Sequence, residues 1–387
     1  MRVFHVLKTF VRYLWVGGNP FVIITALHTP NEEGKYVIQA EGIRLAFTNN
    51  GGALANFWIN DKHGKEIDIV MGLDNATQYA EYEGRVGGAL GRYAGMISGA
   101  SFELNGKRWK TSNNGKNPDK PVTLNGGKRG WGNIRLDVAV HTKDTLTFFI
   151  YDRGANGFPG VAGASLTHTV TPFAWHMSYG STPMKEAGPM DLSHQVFWNL
   201  DGFVENSTRT VENHMLSLPY AGLRLGIDED KIPTGDILGN KKDSAFDFWS
   251  KPRPLGVVMD QDGKKGTEIV RGLDNTFLTT RSQPWGKDHK PVASLKSEHS
   301  GIKLDLYSDQ EALQVVTWNE TDGAIPLKKS QGGGDTPRFG GVSIQTQDWT
   351  DAINHPEWQR DEKIIWGPDR CFIAYSTFRF SVEKDSP

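Results

Sequence analysis

Most of this chain alternates apolar and polar residues with a period of two, the spacing at which successive strand side chains point to opposite faces. Residues 43–47 (IRLAF) and 54–59 (LANFWI) alternate in this way on either side of a turn at 49–52 (NNGG). The 44 glycines and 19 prolines interrupt the pattern often, and no helical periodicity exceeds two turns. An all-β sandwich is therefore predicted rather than an alternating α/β sheet. Further strands are predicted at 146–151, 166–170, 176–179, 302–307, 313–318 and 372–382.

Composition narrows the classes of function. The 43 basic and 45 acidic residues give a net charge of −2, which lacks the basic footprint of a nucleic-acid-binding protein. The single cysteine, Cys371, excludes an intramolecular disulfide, and no cysteine and histidine cluster has the spacing of a zinc site. We therefore predict no metal, no cofactor and no nucleic-acid partner, and we expect a small-molecule substrate.

The N-terminal region is ambiguous. Basic residues precede an apolar stretch at 13–27 that residues 17–20 (GGNP) interrupt, whereas a signal peptide has a cleaner apolar run. The stretch is also shorter than the roughly 20 apolar residues that cross a bilayer. We predict a leader or extension at 1–33 and a single domain at 34–387, without stable membrane insertion. Secretion with a degraded or retained leader and a cytoplasmic location both stay open, as do a monomer and a homodimer.

Several motifs resemble, in their order along the chain, those of the aldose 1-epimerases, also called galactose mutarotases. The similarity extends from about residue 34 to residue 380. Single motifs of this kind are weak, but their shared order is strong support for the fold, which in this family is a β-supersandwich with an open cleft. The motifs lie at 91–97 (GRYAGMI), 124–127 (LNGG), 157–160 (GFPG), 193–200 (SHQVFWNL), 272–277 (GLDNTF), 341–347 (GVSIQTQ) and 351–356 (DAINHP).

The resemblance implies a reaction and a set of residues. In this family a glutamate removes a proton from the anomeric hydroxyl while a histidine protonates the ring oxygen, so that the sugar ring opens and closes again. The motifs place His194 at the acid and Asp274 at the sugar-binding aspartate, but Gln345 stands where the family has its glutamate. An amide cannot accept a proton at neutral pH, and losing a general base reduces a rate by about 10² to 10⁴.

The other differences from the family make the predicted cleft more neutral. Asn125 replaces a histidine, and Gly95 and Met96 replace an asparagine and an arginine. Amides still form hydrogen bonds, and methionine offers an adaptable apolar surface. Such a lining suits a ligand with fewer hydroxyl groups than a hexose.

We therefore predict an aldose 1-epimerase-like isomerase with a repurposed active site. Its substrate would be a small cyclic or carbonyl-containing molecule, with non-sugar secondary metabolites among the candidates. The predicted catalytic residues are His194, Asp274 and Gln345, and the predicted substrate-binding residues are Asn125, Met96, Arg92, Trp131 and Trp198.

Less specific interpretations stand beside this one. Arg92 fits a structural ion pair, Gln345 fits an ordinary strand position, and the tryptophans fit a broad sandwich core. The chain as a whole could also be a weak conventional epimerase of hexoses, an inactive carbohydrate-binding pseudoenzyme or an interaction module. Retention of His194 and Asp274 favours an enzyme, because a binding protein has little need of a titrating group.

Overall fold

The computed structural model of the protein describes residues 12–16, 19–23, 29–82, 86–259, 271–280, 290–320 and 323–384. Residues 1–11, 17–18 and 24–28 of the predicted leader lie outside these residues. The part of the leader within them includes a two-stranded hairpin. The strands before residue 184 are β1 (Arg12–Val16), β2 (Asn19–Ile23), β3 (Tyr36–Ala40), β4 (Ile43–Phe47), β5 (Leu54–Asn60), β6 (Glu66–Asp68), β7 (Ala89–Leu90), β8 (Met96–Ser98), β9 (Ser101–Leu104), β10 (Lys107–Lys110), β11 (Val122–Leu124), β12 (Asp137–His141), β13 (Thr145–Asp152), β14 (Ala162–Thr171) and β15 (Ala174–Pro183).

The second half of the chain continues in the same manner. Its strands are β16 (Gly188–Pro189), β17 (Ser193–His194), β18 (Phe197–Trp198), β19 (Met215–Ser217), β20 (Leu223–Ile227), β21 (Pro233–Gly239), β22 (Arg253–Pro254), β23 (Asp274–Leu278), β24 (Ala293–Lys296), β25 (Ile302–Ser308), β26 (Ala312–Thr317), β27 (Val342–Gln347), β28 (Ile365–Trp366) and β29 (Phe372–Val382).

Helical structure in the described residues is short. It consists of the single turn α1 (Asp361–Ile364) and of 3₁₀ turns at Gln78–Ala80, Trp131–Asn133, Asn206–Thr208, Leu255–Val258, Lys329–Gln331, Ala352–Asn354 and Pro356–Trp358. The all-β prediction is confirmed. None of the helices that the structure describes is long and apolar enough to pass through a membrane.

Three antiparallel sheets account for most strands. A nine-stranded sheet has the order β12-β13-β14-β15-β29-β25-β24-β19-β22, a six-stranded sheet the order β18-β27-β26-β23-β20-β21, and a four-stranded sheet the order β3-β4-β5-β6. The last strand, β29, lies between β15 and β25 and is the central strand of the largest sheet.

The main hydrophobic core is shared by all three sheets. It includes Leu45 of the four-stranded sheet, Val315 of the six-stranded sheet and Phe378 of the nine-stranded sheet. Alternation explains this, because β26 and β29 bury every second residue on the core side. The opposite face of the six-stranded sheet is left to line a cavity.

Candidate functional site

A cavity of about 850 Å³ is bounded by strands of the six-stranded sheet and by loops at 113–116 and 124–133. Its lining is mostly neutral. Six amide side chains and six apolar side chains contribute, with two lysines and two carboxylates. The lining residues are Asn113, Asn114, Asn125, Asn133, Gln195 and Asn319; Ala89, Leu90, Leu124, Phe197, Val316 and Trp318; Lys116, Lys128, Asp274 and Glu320; and Gly115, Gly132 and Thr317.

Strand register places two adjacent rows of side chains on the cavity side of the sheet, because directly paired residues point to the same face. Asp274, Val316 and Phe197 all line the cavity, which identifies that face. The first row is Asp274, Val316, Ser343 and Phe197, and the second row is Thr276, Gln314 and Gln345.

Asp274 is held by the second row. The Nε2 atom of Gln314 donates to Asp274 Oδ1 at 2.7 Å, and the Oε1 atom of Gln314 accepts from Thr276 Oγ1 at 2.5 Å. Burial raises the pKa of Asp274 above its usual value, while the charge of Lys231 and the Gln314 hydrogen bond oppose this rise. The result is a carboxyl group that faces the cavity with one oxygen fixed and a raised pKa.

Gln345 is on the same face of the sheet as Asp274, with β26 between their strands, and is not among the cavity-lining residues. It pairs with Gln314 across β26 and β27, is 3% exposed, and donates from Nε2 to Ser343 Oγ at 3.3 Å. It therefore shares the sheet face of Asp274 without lining the cavity itself.

The segment from Leu192 to Trp198 sends alternate residues to opposite sides. Leu192, Val196 and Trp198 belong to the main core, and His194 has the same parity. Gln195 and Phe197 line the cavity. Along such a segment, consecutive residues point to opposite faces, so a role predicted for one residue concerns the other face when it is moved to the next residue.

His194 accordingly lies in an aromatic part of the core. Its ring centroid is 5.3 Å from that of His168 and 6.0 Å from that of Trp175, and a hydrogen bond of 2.5 Å joins its Nδ1 to the Tyr179 hydroxyl. Burial lowers the pKa of His194 to about 4. His194, predicted to supply the acid, is therefore not among the cavity-lining residues, and the cavity side of the segment is occupied by Gln195. Trp198, predicted to bind substrate, is likewise a core residue with 0% exposure.

Two other predicted binding residues also lie behind the cavity wall. The Arg92 guanidinium pairs with Asp152 at 3.1 Å and donates to the carbonyl oxygen of Pro159. Trp131 donates from Nε1 to the same Asp152 at 3.0 Å. Both side chains are buried and neither lines the cavity, which places them in an ion-pair network around Asp152.

Asn125 does line the cavity, and its backbone explains the residue type. Its φ of 48° is in the left-handed region, which asparagine tolerates better than most residues. Its Oδ1 accepts from the Gly95 backbone at 3.0 Å, which leaves the Nδ2 side of the amide for a ligand.

The neighbours Gly95 and Met96 differ in their roles. Gly95 has a φ of 73°, and a Cβ there would lie 2.6 Å from Thr350 Oγ1, so a larger residue meets Thr350. Met96 is half-buried, pairs with Leu124 across β8 and β11, and is not among the lining residues. Its strand partner Leu124 lines the cavity instead.

The loop at 113–116 forms the wall opposite the sheet, and its asparagines shape it. Asn113 Oδ1 accepts from the backbone of Gly115 and Val122, and Asn114 pairs through its amide with the backbone of Leu124. These two amides are therefore partly committed to the loop. Sequence patterns give no signal for this wall, because its position relative to the sheet also involves distant contacts such as the ion pair between Lys116 and Glu320.

Metal chemistry has no obvious donor set here. Among the described residues, no group of three or more histidine, cysteine, aspartate or glutamate side chains could hold a metal ion.

Comparison with known proteins fixes the family. The model of the aldose 1-epimerase family matches residues 34–365. The chain belongs to the aldose 1-epimerase family. It is therefore an enzyme of the isomerase class, and its family acts on small molecules.

The similar proteins agree with this assignment. The chain is 46% identical to "Epimerase FSL3" of Gibberella zeae, over 97% of this chain and 91% of that protein. It is 30% identical to a "Probable aldose 1-epimerase" of Arthroderma benhamiae, over 90% of this chain and 86% of that protein. The crystal structure of an aldose epimerase homologue from C. elegans superposes with a TM-score of 0.78 at 24% identity, covering 90% of this chain and 99% of that one. The galactose mutarotase-like fold is thus confirmed.

Within this epimerase family, the site of the present chain departs further from the common pattern than its motifs alone indicated. The cavity position of the acid-bearing segment is Gln195, and the position of the base is Gln345. Of the two residues that the resemblance assigns to proton transfer, His194 is not among the cavity-lining residues and Gln345 is an amide. Of the residues carried over from the family, Asp274 retains a titratable side chain on the cavity.

Proposed function

We propose that this chain is an epimerase that uses Asp274 as its proton-transfer group, on a small cyclic or carbonyl-containing molecule with fewer hydroxyl groups than a hexose. The observation that supports the proposal most directly is the lining of the cavity. It contains no imidazole among the described residues, and its carboxylates are Asp274 within the sheet and Glu320, which pairs with the exposed Lys116 at 3.4 Å.

The environment of Asp274 suits proton transfer. A raised pKa brings a carboxyl group closer to the working pH, where it both accepts and returns a proton efficiently. Gln314 fixes Oδ1, so Oδ2 is the oxygen left for the substrate. In the proposed reaction Oδ2 removes the proton from the carbon next to the substrate carbonyl, that carbon becomes planar in the resulting enolate, the enolate turns over in the cavity, and the protonated Asp274 returns the same proton to the opposite face of the carbon. No oxidant or cofactor is needed for this balance.

The amide side chains of the cavity supply the hydrogen-bond donors for the proposed reaction. Gln195 and Asn125 line the cavity and donate neutral hydrogen bonds, which stabilise an oxygen that gains negative charge during proton removal. The arginine and the imidazoles that contact sugar in the family are replaced here, which disfavours a hexose as substrate.

Mutarotation of α-D-galactose, followed by polarimetry, tests the proposal. The wild-type chain is expected to leave the rate near that of buffer. The double variant Gln195→His/Gln345→Glu restores an imidazole and a carboxylate and is expected to raise the rate at least about 100-fold, the contribution typical of general acid and base groups.

A galactose mutarotase measured in parallel provides the scale, and His194→Phe provides the control for a histidine outside the cavity. Wild-type acceleration equal to that of the galactose mutarotase would overturn the proposal in favour of a conventional epimerase. Equal loss of the mutarotation gained by the double variant, when His194→Phe or Asp274→Asn is added to it, would contradict the assignment of proton transfer to Asp274.

A further inference from the structure

Two aromatic side chains line one end of the cavity, and nothing in the reaction above uses them. Phe197 and Trp318 meet edge to face, with ring centroids 5.1 Å apart and an angle of 86° between their planes. We propose that this pair is an aromatic wall that selects a substrate with an apolar arm next to the reacting centre. The inference rests on the proposed function and adds the class of substrate to it.

The aromatic wall is fixed in place by the protein behind it. Both rings belong to a second hydrophobic cluster that also includes Met71, Phe203 and Ile325. The backbone of Trp318 forms two hydrogen bonds of 2.7 Å, donating to Gly341 and accepting from Phe339, and the Phe197 carbonyl accepts from Met71 at 2.9 Å. A surface held in this way is organised before a ligand arrives, which reduces the ordering cost of binding.

Register places the aromatic wall beside Asp274. Val316 pairs directly with Asp274, and Trp318 follows two residues later, about 7 Å along the chain at the rise of an extended strand. Phe197 lies farther across the sheet, in the row that passes through Ser343. An arm the size of a phenyl ring or a short chain therefore spans from the carboxyl group to the aromatic wall.

The chemistry of the aromatic wall favours an apolar arm over hydroxyl groups. Val316 and Leu90 extend the apolar surface. Hydroxyl groups placed against this surface lose hydrogen bonds to water without replacement, whereas an apolar arm gains from leaving water. Asn113, Asn114 and Asn125 line the cavity from loops rather than from the sheet region that carries Trp318, so the favoured substrate is amphipathic.

Binding of two simple ketones tests the inference by calorimetry. 4-Phenylcyclohexanone carries an apolar arm on a carbonyl-containing ring, and cyclohexanone lacks the arm. Wild type is expected to bind the first at least about 30-fold more tightly, as burial of a phenyl ring implies. Trp318→Ala is expected to reduce this preference to less than about fivefold, and Phe197→Ala to reduce it at least about threefold.

Trp249→Ala is the matched control, because Trp249 is 38% exposed, donates to the Asn240 carbonyl, and lies outside the cavity lining. It is expected to keep the wild-type preference. If Trp318→Ala does not fold, Trp318→Phe decides, since it keeps an aromatic ring in the cluster and is expected to lower the preference at least about threefold.

A wild type without preference for the phenyl arm, or a preference unchanged in the Trp318 variants, would overturn the inference. Asp274→Asn is expected to keep the preference, because binding of the arm does not require proton transfer. Failure of the aromatic wall and failure of Asp274 as the proton-transfer group are therefore separate results.

Discussion

In the proposed reaction, Asp274 is the residue that transfers the proton. Its pKa is raised by burial and lowered by the Gln314 hydrogen bond, so removing that bond leaves burial less opposed. We expect the ¹³C carboxyl resonance of Asp274, assigned by its loss in Asp274→Asn, to titrate above the usual aspartate range. In Gln314→Leu it is expected to titrate at still higher pH.

The matched control for this prediction is Gln195→Leu, which makes the same change of side chain in the same cavity. No hydrogen bond joins Gln195 to Asp274 in the described structure, so its effect on the titration is expected to be the smaller one. An Asp274 titration at or below the usual aspartate pKa, or one shifted more by Gln195→Leu than by Gln314→Leu, contradicts the role assigned to Gln314.

At the scale of the element, the alternation of the segment from Leu192 to Trp198 determines which of its side chains face the cavity. Val196 is 4% exposed in the core, while Gln195 lines the cavity. Val196→Ala is expected to lower the free energy of unfolding by about 2 kcal/mol, since it removes two buried methyl groups and leaves a cavity. Gln195→Ala is expected to change it by less than about 0.5 kcal/mol.

Urea denaturation measures both values, and His194→Phe adds a third point on the core side. Equal costs for Val196→Ala and Gln195→Ala, or a larger cost for Gln195→Ala, are incompatible with the alternation described for this segment. The comparison needs no substrate, so it tests the geometry of the site independently of its chemistry.

The same segment shows how far sequence reasoning reached. The motif identifies the segment, and residue type alone points to His194, whereas the alternation of the segment puts Gln195 on the cavity side. Trp198 shares the core face with Val196. In the sequence, the apolar Val196 lies between Gln195 and Phe197. This pattern indicates which residues face the core, since one side of such a segment must be buried.

At the scale of the whole molecule, local alternation predicted the strands better than their arrangement. The predicted strand at 372–382 is β29 (Phe372–Val382), and the one at 302–307 is β25 (Ile302–Ser308). Their neighbours in the sheet could not be predicted, because β29 pairs with β15 about 200 residues earlier. The cavity wall at 113–116 and the ion pair of Arg92 depend on such distant contacts, so their positions required the structure.

Because of its buried imidazoles, the stability of the whole fold is expected to depend on pH. Burial lowers the pKa of His194 to about 4 and that of His168 well below its usual value, and both His168 ring nitrogens lack a partner in the described residues. A histidine whose pKa falls on folding contributes full stability above its unfolded pKa of about 6.5. That stability is lost as pH falls toward the folded pKa, because the unfolded chain takes up the proton first.

For His194 alone, the loss between pH 7 and pH 5 is expected to be about 2 kcal/mol of unfolding free energy. Urea denaturation at pH 7, 6 and 5 measures it for wild type, for His194→Phe and for His63→Phe as an exposed control. The slope with pH is expected to flatten in His194→Phe and to stay unchanged in His63→Phe. A slope equal in wild type and His194→Phe would mean that the imidazole of His194 is reached by protons without opening the core, and would return it to the candidates for the cavity.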